Sequence, residues 1–173
     1  MLNLNHLGDD VEKAHDGKDP VEPLKELLSS EHTSVNNFEH CLETPAAADL
    51  HTVSAACREI HGLNVQLLSE RLSFLGVEPR KNTDLWHSFL ELISTTTSMF
   101  GEEAILNELR KHEMSLYNDY QAGLDKLDGE ELLLLQAQLI PNQVKVLELL
   151  GAIKTEDAEG VSKPSFPLNL NWA

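Results

Sequence analysis

Residues 21–43 read VEPLKELLSSEHTSVNNFEHCLE, and within them Leu24, Leu28, Glu31, Val35, Phe38 and Leu42 follow in alternating steps of four and three. Steps of that size stay on one face of an α-helix, whose turn takes 3.6 residues. The spacing predicts a helix over 21–43 with an apolar stripe, and it sets a carboxylate, Glu31, inside the stripe. Burying a charge there is costly unless it meets a donor or a cation. The residues that face Glu31 therefore decide what the interior can do.

Similar stripes recur along the chain. Thr44 and Pro45 supply an N-cap and a favoured first-turn proline. A second helix then carries Leu50, Val53, Cys57, Ile60, Asn64, Leu67 and Leu75 inward and stops at Gly76 and Pro79. Asn82 or Thr83 caps a shorter additional helix with Leu85, Trp86, Phe89, Leu92, Ile93 and Met99, which ends near Gly101. The next long helix opens at Glu102, where acidic residues suit the helix dipole. It shows Leu106, Leu109, Glu113, Leu116, Tyr120 and Leu127 on one face, with His112 beside them. After the Asp128-Gly129 turn, residues 130–154 form a leucine-rich helix whose polar inward residues are Gln136 and Gln143. Pro141 sits inside it, removes a backbone hydrogen bond and predicts a kink.

Four long amphipathic helices, with only 5% aromatic residues, give an all-α fold: an antiparallel four-helix bundle over residues 21–154, with the short helix added between helices 2 and 3. Residues 1–20 form an N-terminal extension. Residues 155–173 form an extended arm in which Phe166, Leu168, Leu170 and Trp172 alternate with small or polar neighbours. The Leu-Asn alternation of residues 2–5 returns at 168–171. Exposed apolar residues this regular call for a partner, so the arms are expected to pack on the bundle or on a second subunit, making a homodimer.

The 173 residues suffice for one domain, and 29 Asp and Glu against 13 Lys and Arg give a formal charge of −16. A surface of that sign repels phosphates and anionic headgroups, which excludes nucleic acid and membrane surfaces as partners. A basic protein remains open. No basic segment followed by a long apolar run opens the sequence, and no uncharged apolar stretch of about 18 residues occurs. With two cysteines, Cys41 and Cys57, in ordinary contexts, the expectation is a cytoplasmic protein with reduced thiols.

The residues that interrupt the stripes are Glu31, Asn64, His112 with Glu113, and Gln136 with Gln143. In a di-iron bundle two helices each give a Glu and the other two each give Glu-x-x-His, all pointing inward. The only Glu-x-x-His in this chain is Glu12–His15, within the N-terminal extension. What remains is Glu31, Glu113, His112 and His61, a set able to hold at most one divalent ion, iron, zinc or manganese, loosely. The competing reading is that Glu31 and Glu113 are half-exposed, or hydrogen-bonded across the core to Tyr117, Gln136 or Gln143. His87 and Glu91 have the spacing of hemerythrin-like oxygen carriers but stand alone. Arg58-Glu59-Ile60-His61-Gly62 faintly suggests a phosphotransfer bundle, without the lysine expected after the histidine; in that comparison His61 is better read as a surface residue.

Several strings together resemble a bacterial family of ferritin-like proteins, domain of unknown function 2383. They are Leu24-Lys25-Glu26-Leu27-Leu28, Leu72-Ser73-Phe74-Leu75-Gly76-Val77-Glu78-Pro79, the segment at Trp86, and Ile105-Leu106-Asn107-Glu108 followed by Glu113, Tyr117, Tyr120 and Leu124. The resemblance spans roughly residues 24–150 and implies a ferritin-like bundle of paired antiparallel helices, with no settled activity to carry over. It implies that Glu113 matches the family's acidic position. Members often carry a histidine near Asn142-Gln143 and a carboxylate near Asn36, where this chain has amides.

The resulting expectation is a ferritin-like binding or structural module with a degenerate metal site around Glu31 and Glu113, rather than an enzyme. The alternatives are a metal-dependent storage or oxidative protein using Glu31, Glu113, His112 and His61, and an interaction adaptor that works through its acidic face or C-terminal arm.

Overall fold

The computed structural model describes residues 18–43, 48–79 and 86–153, with side chains of the third helix described from Glu102 onward. Every regular element among them is helical: α1 spans Val21–Glu43, α2 Ala48–Phe74 and α3 Trp86–Gly123. A last rod joins α4, Gly129–Leu134, to a π-helical turn, Leu135–Leu139, and α5, Ile140–Ala152. The all-α expectation holds. Residues 1–17 of the N-terminal extension, the C-terminal arm, the Thr44-Pro45 cap and the Asn82 or Thr83 cap lie outside the described residues.

One expected boundary is absent. The short additional helix ending near Gly101 is the first part of α3, which runs without a break from Trp86 to Gly123. A lone helical glycine costs about 1 kcal/mol relative to alanine, whereas proline costs about 3. Between Trp86 and Gly123 there is no proline, so Gly101 weakens the helix without ending it.

The core lies in two apolar clusters. At one end Leu24 and Leu28 of α1 meet Leu68 and Leu72 of α2, Leu116 and Tyr120 of α3, and Leu135 and Leu139 of the last rod. At the other, Phe38 and Cys41 meet Leu50, Cys57, Ile105, Leu109, Val146 and Leu150. Burying one leucine stabilises by about 1.5–3 kcal/mol, which makes these layers the main cohesive contribution. Their membership also sets the topology. α1 and the last rod run from the first cluster to the second, while α2 and α3 run the opposite way. The chain between Phe74 and Ile105 thus crosses from one end of the core to the other.

Helix ends are closed locally. Gly76, at φ 77, follows α2 in the left-handed region that glycine adopts without a Cβ penalty. Its N–H donates to Ser73 O (3.0 Å) and that of Val77 to Leu72 O (2.9 Å), the paired bonds of a Schellman ending. At the far end of the last rod, Arg110 donates to Leu150 O (2.8 Å) and Ile153 O (3.1 Å), carbonyls that have no partner within their own helix.

Pro141 breaks the last rod in a specific way. A proline ring collides with the carbonyl four residues back, here that of Ala137. The π turn ends just before it, and the Ile140 N–H reaches the Leu135 carbonyl, five residues back. One extra residue in the turn widens the backbone where the ring must fit. It also moves side chains around the rod: Gln136, expected inward, is exposed, while Gln143 is fully buried.

Candidate functional site

Between the two apolar clusters lies a polar layer to which all four rods contribute. α1 provides Glu31 and Ser34, α2 provides His61 and Asn64, α3 provides Glu113 and Tyr120, and α5 provides Gln143. All seven side chains are fully buried. Five of them, Glu31, Asn64, Glu113, Tyr120 and Gln143, stand where the stripe pattern put them. His61 does not, and its reading as a surface histidine is overturned.

His61 is the centre of the layer. Its Nδ1 lies 2.7 Å from Glu31 Oε2, and its Nε2 lies 3.2 Å from Glu113 Oε2. The first contact is a hydrogen bond. The second is close enough for an ion pair but off the hydrogen-bond direction, so Nε2 has no hydrogen-bond partner there. Phe38 stacks on the imidazole, with ring centroids 5.5 Å apart and planes at 18°. Burial, the largest single influence, favours the neutral ring; Glu31 and Glu113 together outweigh it and raise the pKa to about 10. His61 is therefore an imidazolium at neutral pH, and the layer contains a carboxylate, imidazolium, carboxylate bridge linking α1, α2 and α3.

Hydrogen bonds complete both carboxylates. Glu31 accepts from the Tyr120 hydroxyl and from Asn64 Nδ2 (3.1 Å), and Asn142 donates to Asn64 Oδ1 (2.7 Å). Glu113 accepts from the Ser34 hydroxyl (2.9 Å) and from Gln143 Nε2 (2.8 Å). Burial pushes the Glu113 carboxyl up, but His61, with His112 and Gln143 assisting, holds it below the usual carboxylate range. Tyr120 moves the opposite way, well above 10, because burial and the Glu31 charge oppose a phenolate.

His112 stands at the margin, with 25% of its side chain exposed and Nε2 4.0 Å from Glu113 Oε1. Ser34 gives its only hydroxyl proton to Glu113, so its oxygen accepts from His112 Nε2–H at 3.1 Å. The four candidate ligands are thus not one shell: Glu31, His61 and Glu113 are joined directly, and His112 touches them through Ser34. Among the described residues no three His, Cys, Asp or Glu side chains are arranged to hold a metal ion.

Two expectations about donors need correction. The tyrosine that bonds Glu31 is Tyr120, read from the sequence as an apolar stripe residue, and not Tyr117. Gln136 is exposed and takes no part. Sequence reasoning also missed Ser34, which occurs three residues after Glu31 on the same helical face; the signal was there, but a serine carries no weight in a hydrophobic stripe. Cys41 and Cys57 are buried free thiols. Burial raises them to about 11 and about 12, the latter with help from the Glu113 charge, so both stay protonated and unreactive at neutral pH.

Among the described residues no helix is long and apolar enough to cross a membrane. Comparison with protein-family models, with curated proteins and with solved structures finds no match to this chain.

Proposed function

We propose that this chain is a ferritin-like four-helix bundle serving as a non-catalytic binding or structural module, in which a proton on His61 ties together the layer that related bundles tie with metal. The observation that carries the reading is His61, wholly buried, with one ring nitrogen on each of two carboxylates.

The positions of the polar residues support it. A di-metal bundle takes one Glu from each of two helices and Glu-x-x-His from each of the other two. Here α1 and α3 provide the single glutamates, Glu31 and Glu113. On α2 the i, i+3 pair is His61 and Asn64, and on α5 it is Gln143 and Val146, all four fully buried. Two carboxylates and one imidazole remain of the four and two such a centre uses, and the imidazole is turned toward acids rather than left with a free lone pair. The reversal of core ends between α2 and α3 is in keeping with the single long connection that ferritin-like bundles have, and the strings that resemble domain of unknown function 2383 favour the same reading. Since none of the seven central side chains reaches solvent, a substrate has nothing to touch there, which favours a module over an enzyme.

The test is metal analysis of the full chain purified without chelator, alongside proton NMR of the His61 ring. Sub-stoichiometric metal and two ring N–H signals near pH 7 are expected. Stoichiometric iron, zinc or manganese that disappears in Glu113→Ala overturns the reading.

A further inference from the structure

The layer around Glu113 contains polar atoms that its protein partners leave unmatched. Asn37 is 0% exposed, and neither its Nδ2 nor its Oδ1 has a hydrogen-bond partner among the described residues; the same is true of His61 Nε2 and Gln143 Oε1. His61 and Gln143 both lie against Glu113, and the helical register of α1 sets Asn37 on the same side as Ser34. Gln143 Nε2 and His61 Nε2 both approach Glu113 Oε2, at 2.8 and 3.2 Å. Asn37 follows, one turn along α1, the Ser34 whose hydroxyl bonds Glu113 Oε1 at 2.9 Å. Buried polar groups in folded proteins are almost always paired with protein or with internal water.

The chemistry of the four atoms selects among ligands. Asn37 Nδ2 and the protonated His61 Nε2 are donors, whereas Asn37 Oδ1 and Gln143 Oε1 are acceptors. A cation, sodium or ammonium, would satisfy the acceptors and face both donors. An anion would do the reverse. A neutral molecule with donors and acceptors in equal number satisfies all four, and only a very small one suits a layer of fully buried side chains. We infer that Asn37, His61 and Gln143 form an internal site for water beside Glu113, so that the polar layer is completed by at least one long-lived water molecule.

One of the four atoms depends on the imidazolium reading of His61, and the experiment separates the two. NMR on the full chain labelled with ¹⁵N detects the His61 Nε2–H and Asn37 side-chain amide signals and their cross-relaxation with water, in sodium, ammonium and formate salts. Expected are direct cross-peaks to water from the Asn37 amide and from Nε2–H, unchanged between salts; in Asn37→Leu the Nε2–H cross-peak should vanish or its proton exchange faster. If the Nε2–H signal is missing, the imidazolium reading fails while the Asn37 amide still reports on water. No water cross-peak at the Asn37 amide of the unmodified chain overturns the site, as do saturable shifts specific to one salt, which would make the occupant an ion.

Discussion

Replacing His61 with leucine tests the central bridge most directly. The imidazole titrates near 6.5 in an unfolded chain and near 10 in the fold; at about 1.4 kcal/mol for each pH unit, that difference is worth about 5 kcal/mol when the ring is fully protonated in both states. Its pKa is raised by folding, so the contribution is complete below 6.5, declines between 6.5 and about 10, and is gone above. Leucine is similar in bulk but leaves Glu31 and Glu113 buried without their cation, a loss of about 3–5 kcal/mol near neutral pH. The pH dependence should also reverse on the acid side. In the unmodified protein the depressed Glu113 contributes stability above 4.5 that is lost as pH falls further. In His61→Leu, burial is opposed only by the weaker pull of His112 and Gln143, so the carboxyl rises and the variant becomes more stable as pH drops from neutral toward 5. Urea unfolding of both proteins between pH 5 and 10.5 measures this. Above pH 9 the buried thiols Cys41 and Cys57 and the Tyr120 phenol weaken both proteins alike, so the difference curve is the readout. A variant within about 1 kcal/mol of the original near pH 7, or parallel curves from 6.5 to 10, refutes the bridge.

Tyr120→Phe deletes one of the two neutral donors to Glu31 and should cost about 1–3 kcal/mol by urea unfolding, with no change in helix content by circular dichroism; an unchanged midpoint would show that the hydroxyl is dispensable. Gly76→Ala puts a Cβ on a residue at φ 77, and although open space surrounds that position, the left-handed backbone should cost about 1–2 kcal/mol. A thermal midpoint equal to that of the unmodified chain would contradict the Schellman ending of α2.

The all-α class and the bounds of α1 were legible in the amino-acid order, because apolar spacing at 3.6 residues depends on nothing beyond the helix itself. Glu31, Asn64, Glu113 and Gln143 were also legible as inward, since each interrupts such a stripe. Tertiary packing decided the rest. Of the stripe expected on α2, Leu50, Cys57 and Asn64 are buried, but in place of Val53, Ile60 and Leu67 the residues one position on, Ser54, His61 and Leu68, are the buried ones. On a helix both rows border the same groove, and hydrophobicity favours valine and isoleucine over serine and histidine. Which row faces the centre depends on the neighbouring rods. His61 turns inward because two carboxylates from α1 and α3 wait there, and no local pattern on α2 encodes a charge supplied from 30 residues before it and 52 after. The π turn ahead of Pro141 is similar in kind: proline announces a disturbed helix, but the direction in which the extra residue rotates Gln136 out is set by Gln143 meeting Glu113.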